Sequence, residues 1–221
     1  MIVYIDNLDL LFQKIHHHAS IDSSLTKSEQ PYQPSIRESW DHLYNLAAKV
    51  AKNQNKQVEF IASGLNDYPL SDSMKDYINT IATQFIRNSI VHGIEKSTDR
   101  LKAGKPEIGS VAVNLSKASN GDFTLRFTDD GAGLDGDKIL AKAIDTNLIT
   151  EEKAKTLSAS KIYNLIFHPK FSTSESADED HGHGVGMALV KQKTKQAKAT
   201  ISISTNNTRT IFTVVTPAAV S

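Results

Sequence analysis

Three short segments of this 221-residue sequence combine residue types that could bind a ligand. They are residues 84–93 (QFIRNSIVHG), 128–134 (TDDGAGL) and 181–187 (HGHGVGM). In this order they predict a polar helix face, an acidic turn with closely spaced glycines, and a glycine-rich loop that runs into a helix. Such a set could hold an adenine ring at one end and a triphosphate with its metal ion at the other.

The first segment places three polar side chains at intervals of four residues. Gln84, Asn88 and His92 would therefore lie on one face of a helix. The Asn88 amide offers a neutral oxygen ligand, which suits Mg²⁺ when phosphate oxygens and water complete its coordination shell. The alternative interpretation is an ordinary solvated helix face.

The second segment is an acidic turn with two nearby glycines. Asp129 could accept a hydrogen bond from an exocyclic amine such as that of adenine. Gly131 and Gly133 would let the backbone pass close to a planar ring or adopt a positive φ. A calcium-type loop or a plain turn is the alternative.

The third segment alternates glycines before a helix. Without side chains at Gly182, Gly184 and Gly186, backbone N–H groups at the helix N-terminus could bind phosphate. The alternative is that these glycines serve loop flexibility alone. The polar, acidic stretch between Phe171 and Gly182 predicts a lid that orders over bound nucleotide, with an ordinary surface loop as its alternative.

The composition narrows the class of protein. Lys and Arg together number 25, as do Asp and Glu, so the formal net charge is zero and no nucleic-acid partner is expected. The absence of cysteine excludes disulfides and thiolate metal sites. No apolar run is long enough to enter a membrane, and the N-terminus does not resemble a signal peptide. We therefore expect a cytoplasmic location without direct membrane insertion.

Helices are predicted from apolar residues at helical spacing. One begins at Ser35 and includes Trp40, and a longer one is capped by Ser71-Asp72-Ser73 and carries Ile78 and Phe85 on its inner stripe. Three further helices are predicted at residues 136–146, 159–167 and 185–196.

Strands are predicted from alternating apolar residues. Residues 111–115 and 123–127 form one hairpin through Asn120-Gly121, residues 200–204 and 210–215 form another, and a single strand lies near Val58. Strands segregated from helices indicate an α+β fold, with an antiparallel or mixed sheet covered by helices on one face.

The chain is expected to divide into three parts. Residues 1–35 form an N-terminal helical segment and linker, residues 36–217 form the compact domain, and residues 218–221 form a tail. The helical segment could mediate a homodimer or pack back on the domain. His16-His17-His18 could accept a phosphoryl group, although a polar helix end explains these histidines equally well.

Six motifs in one order resemble the ATP-binding domain of CheA-type chemotaxis histidine kinases, over roughly residues 37–217. These are Asn88 with His92-Gly93, Arg100 to Lys105, Asp129 to Gly133, Lys138 to Ala143, Ile166-Phe-x-Pro-x-Phe-Ser-Thr, and Gly182-x-Gly-Val-Gly-Met. The wider superfamily contains gyrase, Hsp90, histidine kinases and MutL. The resemblance implies its Bergerat-type fold, a two-layer α/β sandwich with a mixed, mostly antiparallel sheet.

The resemblance also implies roles for individual residues. Asn88 would coordinate Mg²⁺, Asp129 would pair with the adenine amino group, and Gly131 and Gly133 would shape that pocket. Other implied nucleotide contacts are His92, Lys138, Thr210 and the loop residues Gly182, His183, Gly184, Val185, Gly186 and Met187.

The implied function is transfer of the γ-phosphate of Mg-ATP to a histidine on a partner phosphotransfer domain, which then supplies a response regulator. Gln84 and Asn88 are the catalytic candidates, but family kinases usually carry His or Glu at the position of Gln84. Glutamine can position a group but cannot take a proton near neutral pH. The alternative is therefore a nucleotide-binding regulatory module with weak or no phosphotransfer. Lys170, His183 and Arg209 also depart from the family pattern.

Overall fold

Alternating apolar residues build one five-stranded sheet in this protein. The computed structural model describes residues 40–172 and 186–218, which fall within the unit Ser39–Ser221. The spatial strand order is β1-β2-β3-β5-β4, with β1 and β2 parallel and the other three pairs antiparallel. The strands are β1 (Val58–Ser63), β2 (Gly109–Lys117), β3 (Phe123–Asp129), β4 (Thr200–Asn206) and β5 (Arg209–Thr216).

Seven α-helices occur among the described residues. The longest, α2, begins at Asp72, where the Ser71 hydroxyl accepts the Met74 N–H at 3.2 Å, as the capping pattern predicts. The helices are α1 (Asp41–Asn53), α2 (Asp72–Asn88), α3 (Ser97–Lys102), α4 (Gly136–Asp145), α5 (Glu151–Ala154), α6 (Ala159–Asn164) and α7 (Gly186–Gln196). A π-helical turn, Ser89–Gly93, follows α2, and 3₁₀ turns span Leu165–Phe167 and Pro169–Ser172.

The core lies between the sheet and the helices that cover one of its faces. The Phe85 ring on α2 packs 4.4 Å from that of Phe127 and 4.5 Å from that of Phe212, measured between centroids. All three side chains are fully buried or nearly so. The opposite face carries exposed residues such as Arg126 and Ile61. This two-layer α+β arrangement confirms the predicted fold class.

Both predicted hairpins are present, and the differences lie at element ends and in short helices. The helix expected from Ser35 begins at Asp41 instead, with Trp40 as its N-cap and partly buried against the core. The periodicity did not reveal α3 and α5, because elements of four to six residues are too short to show a stripe. None of the helices in residues 40–172 and 186–218 is long and apolar enough to cross a membrane.

Candidate functional site

A cavity of about 480 Å³ opens between α2, the turn after β3, and the start of α7. It collects predicted site residues that lie far apart in sequence. Those that line it are Gln84, Asn88, His92, Asp129, Gly133, Lys138, Gly186, Met187 and Thr210. Apolar side chains, among them Val91, Leu134, Ile139, Ile166 and Phe171, form much of the remaining wall. This lining suits a flat, largely apolar ring with a few polar edges.

The most deeply buried charged group in the cavity wall is the carboxyl of Asp129, a residue that is 3% exposed. Its Oδ2 accepts the Ser89 hydroxyl at 2.8 Å, and its Oδ1 accepts the Gly131 N–H at 3.1 Å. Burial raises the pKa of Asp129 from 3.8 to about 6, and the negative charges of Asp130 and Glu95 add to that rise. The two hydrogen bonds partly offset it. A carboxylate has further lone pairs, so it can still accept a donor from the cavity.

Two glycines allow the turn after β3 to pass close to other backbone. A Cβ on Gly131 would lie 2.2 Å from the Gly93 carbonyl oxygen, which itself accepts the Ala132 N–H at 3.0 Å. Gly133 has φ +80°, and its Cβ would lie 1.9 Å from the Asn206 carbonyl oxygen. Gly133 lines the cavity, whereas Gly131 supports it from behind the Asp129 carboxylate.

The π-helical turn after α2 carries His92 into the cavity wall. The Ile94 N–H bonds the Ser89 carbonyl oxygen at 2.7 Å, which leaves the Ile90 and Val91 carbonyls without intrahelical donors. The Lys56 ammonium binds both oxygens, at 2.7 and 2.8 Å. Burial lowers the pKa of Lys56, against the opposing charge of Glu95. A half-buried cation therefore caps the turn that carries His92, a predicted ligand contact.

The β4–β5 hairpin supports the cavity from the other side. The strand register places Thr210, which is buried, directly opposite Asp129. Thr205 accepts the Leu134 N–H at 3.0 Å and donates to the Arg209 carbonyl oxygen at 3.2 Å. These contacts tie the hairpin end to the turn that carries Gly133 and Leu134.

The rest of the cavity lining is polar and mostly basic. Asn88, Gln84 and Arg87 come from α2, and the side chains of His92, Lys138 and Lys142 are exposed. The carboxylate of Asp135 also lines the cavity and pairs with Lys138 at 3.3 Å. In the described part of the chain, no three His, Cys, Asp or Glu residues converge in a way that could hold a metal ion. Asn88 could therefore hold Mg²⁺ only if phosphate oxygens and water supplied the remaining ligands.

Several predicted residues lie outside the described part of the chain. They are Gly182, His183, Gly184 and Val185 of the glycine-rich loop, the lid residues 173–180, and His16-His17-His18 with the rest of the N-terminal segment. Their predicted roles stay predictions.

The sequence of residues 75–220 matches the family described as histidine kinase-, DNA gyrase B-, and HSP90-like ATPase. The chain belongs to this family. Within it, the chain resembles the ATP-binding region of CheA proteins.

Curated relatives of this ATPase domain include several CheA proteins. Chemotaxis protein CheA of Bacillus subtilis is 40% identical over 134 residues, which are 61% of this chain and 20% of that protein. Chemotaxis protein CheA of Klebsiella aerogenes is 37% identical over 134 residues, again 61% and 20%. The chain thus spans about a fifth of the length of these relatives.

Among solved structures, the histidine kinase domain of the Erythrobacter litoralis EL346 blue-light activated histidine kinase is similar at a TM-score of 0.47 and 12% identity. The match covers 81% of this chain and 64% of that one. At that level the similarity carries nothing about activity.

The sequence pattern did not single out three residues that the ATPase domain brings to the site. Ser89 holds Asp129, and Arg87 and Lys142 line the cavity. Two signals were available. Ser89 continues the buried stripe of Ile78, Ile81, Ala82, Phe85 and Ile86, where a polar residue needs a buried partner, and Lys142 follows Lys138 by one helical turn.

Proposed function

We propose that this protein contains the Mg-ATP-binding catalytic domain of a CheA-like histidine kinase. In this proposal the domain transfers the γ-phosphate of ATP to a histidine on a partner phosphotransfer domain, within a two-component pathway that ends at a response regulator. Membership of the ATPase family and the CheA relatives support the class of reaction.

The observation that carries the proposal is the buried carboxylate of Asp129 in the cavity wall. A carboxylate accepts a hydrogen bond from the 6-amino group of adenine and repels the 6-oxo group of guanine. Such a group is costly to bury in an empty site, so its position is best explained by a ligand that donates to it. The apolar side chains in the cavity lining suit the faces of the purine ring.

The basic residues of the cavity lining suit the triphosphate. Arg87, Lys138 and Lys142 contribute positive charge, of which Asp135 offsets a part through its pair with Lys138. A bound Mg²⁺ would neutralise phosphate charge, and Asn88 is the described residue that best fits it as a ligand. We therefore expect the metal to enter with the nucleotide rather than before it.

Phosphoryl transfer in this proposal forms a bond between an imidazole nitrogen and the γ-phosphorus and breaks the bridging P–O bond, so that ADP leaves. Positioning and charge neutralisation supply most of the catalysis in such reactions. Gln84 lines the cavity one helical turn before Asn88, where it can orient a group but cannot accept a proton.

Gln84 also favours a second candidate, a regulatory module that binds nucleotide and changes partner affinity with little transfer. Loss of a general base typically costs 10²–10⁴-fold in rate where that base is used. Binding contacts on Asp129 are independent of that position, so binding would survive in either case.

Radiolabelled ATP, incubated with the chain and separate histidine-containing phosphotransfer domains, tests the proposal. We expect label on an acceptor histidine, lost in Asn88→Ala and kept in Asn114→Ala, an exposed amide on the outer sheet face. A Gln84→His variant is expected to transfer faster by at least about tenfold. Tight Mg-ATP binding without label in any of these proteins would favour the regulatory module, and no binding of Mg-ATP or Mg-ADP at millimolar concentration would refute both.

A further inference from the structure

An ionic cluster of Glu95, Arg100, Lys105 and Asp130 lies outside the cavity lining, behind the turn that carries Asp129. Arg100 is fully buried, and its guanidinium bonds Glu95 at 3.2 Å and Asp130 at 2.8 Å. It also donates to the carbonyl oxygens of Pro106, Ile108 and Asp130. The second Asp130 oxygen accepts the Ser110 N–H at 2.8 Å. Burying these charges is costly unless their geometry is well satisfied, as it is here.

Lys105 contacts the turn differently from the rest of the ionic cluster. Its ammonium is held by Glu95 at 2.6 Å, and it donates to two successive backbone carbonyls, those of Asp130 at 3.1 Å and Gly131 at 2.8 Å. Only 14% of the Lys105 side chain is exposed. The Lys105 ammonium is thus bound both by the Glu95 carboxylate and by two carbonyls of the turn.

The two carbonyls belong to peptide planes whose opposite edges build the site. Because a peptide unit is planar, the Asp130 carbonyl and the Gly131 N–H turn together, as do the Gly131 carbonyl and the Ala132 N–H. The Gly131 N–H holds the Asp129 carboxylate at 3.1 Å, and the Ala132 N–H holds the Gly93 carbonyl oxygen at 3.0 Å. Lys105 therefore binds the two peptide units that orient Asp129 and join its turn to the end of the π-helical turn.

We propose that Lys105 is a positioning residue for base recognition, which orients the Asp129 carboxylate through the Gly131 and Ala132 peptide planes. The proposal rests on the proposed nucleotide function in naming the base as the recognised group. In this proposal Lys105 acts through Asp129, so the effect of replacing Lys105 should depend on whether the ligand carries the amino group that Asp129 recognises.

The test compares ATP with purine riboside 5′-triphosphate, which lacks the 6-amino group, by calorimetric titration of the full chain with Mg²⁺. Lys105→Met should weaken ATP binding about tenfold, a size typical of coupling between contacting groups. It should change the affinity for purine riboside 5′-triphosphate by no more than about twofold. In an Asp129→Asn background, Lys105→Met should no longer change the ATP affinity. Lys102→Met, which removes an exposed lysine from α3, is the matched control and should change neither affinity.

A second measurement needs no nucleotide. Amide hydrogen exchange at Gly131 and Ala132 should accelerate in Lys105→Met relative to Lys102→Met, while exchange in the centre of β3 stays the same. Equal losses for both triphosphates, or unchanged exchange at the two amides, would overturn the positioning role. If Lys105→Met does not fold, Glu95→Gln loosens the same ammonium and should shift both readouts in the same direction, and the absence of a shift there would also overturn it. If the unaltered protein binds neither triphosphate, the proposed function fails while the exchange experiment still decides the role of Lys105.

Discussion

Replacing Asp129 by asparagine should stabilise the nucleotide-free protein while it weakens ATP binding. The buried carboxyl has its pKa raised from 3.8 to about 6, so ionising it is harder in the folded than in the unfolded state. At a pH above the pKa of Asp129 in the folded state, this difference in pKa corresponds to a cost of about 3 kcal/mol in folding free energy. The asparagine amide is neutral and can keep both partners, since the Ser89 hydroxyl can accept as well as donate.

The sign of the pH dependence follows from proton binding. Between about pH 4 and pH 6 the folded state holds the Asp129 proton that the unfolded state has lost, so the contribution of this group to stability falls as pH rises. Below pH 4 both states are protonated and the cost disappears. Asp129→Asn should therefore raise the free energy of unfolding by about 1–3 kcal/mol at pH 7.5 and by almost nothing near pH 4. The contributions of the other carboxyl groups cancel at each pH, because the variant is compared with the unaltered protein.

Thermal and urea unfolding at the two pH values measure this gain. For a domain of this size, each kcal/mol corresponds to about 2–4 °C in melting temperature. ATP affinity should fall about 10- to 100-fold, because a charge-assisted hydrogen bond is replaced by one with a neutral amide. A variant less stable than the unaltered protein at pH 7.5, or a gain equal at both pH values, would refute the reasoning.

The neighbouring residue provides a control of opposite sign. Asp130→Asn removes the same charge one position along the chain, but this carboxylate pairs with the fully buried Arg100 at 2.8 Å. Breaking that pair should destabilise the protein by about 2–4 kcal/mol, since it leaves a buried guanidinium short of its counter-charge.

Two further variants test the supports of the cavity. Gly131→Ala should destabilise the protein by about 1–3 kcal/mol in urea unfolding and weaken ATP binding at least about tenfold, because its Cβ would lie 2.2 Å from the Gly93 carbonyl oxygen. The control is Gly136→Ala at the start of α4, where the nearest neighbour of the added Cβ is 3.8 Å away, and it should have little effect in the same experiments. Thr205→Val should lower the free energy of unfolding by about 1–3 kcal/mol, measured with urea, because the Leu134 N–H loses its acceptor. Thr200→Val, at the exposed start of β4, should have no measurable effect, and equal losses for the two variants would contradict the assigned contact.

The sequence predicted the site through short-range patterns and missed what long-range contacts create. The spacing of Gln84, Asn88 and His92, and the glycines after Asp129, indicated residues that line or adjoin the cavity, while their roles toward a ligand stay predictions. The π-helical turn after α2 was not predicted, because its Ile90 and Val91 carbonyls are bound by Lys56, more than thirty residues earlier in the chain, and local spacing does not show such a contact.

Lys105 illustrates the same limit. In the sequence it is one lysine in a basic and glycine-containing stretch, and nothing in its spacing distinguishes it from Lys102. The structure separates the two, because Lys102 is exposed in a weak pair with Asp99, whereas Lys105 holds Glu95 and two carbonyls of the acidic turn. Tertiary contacts alone assign it a role.

The two ends of the cavity are built to different degrees of rigidity. Around the predicted base site, Asp129, Thr210 and Ser89 are buried and hydrogen-bonded or aligned within the sheet. At the predicted phosphate end, the side chains of Lys138 and Lys142 are exposed, and Lys138 pairs with Asp135 at the surface. In the proposed function, base recognition is therefore the more preorganised part, and the phosphate contacts are completed when nucleotide and metal bind. Because Gln84 lies on the rigid α2 next to that adjustable end, its substitution should change the rate of transfer far more than the affinity for nucleotide.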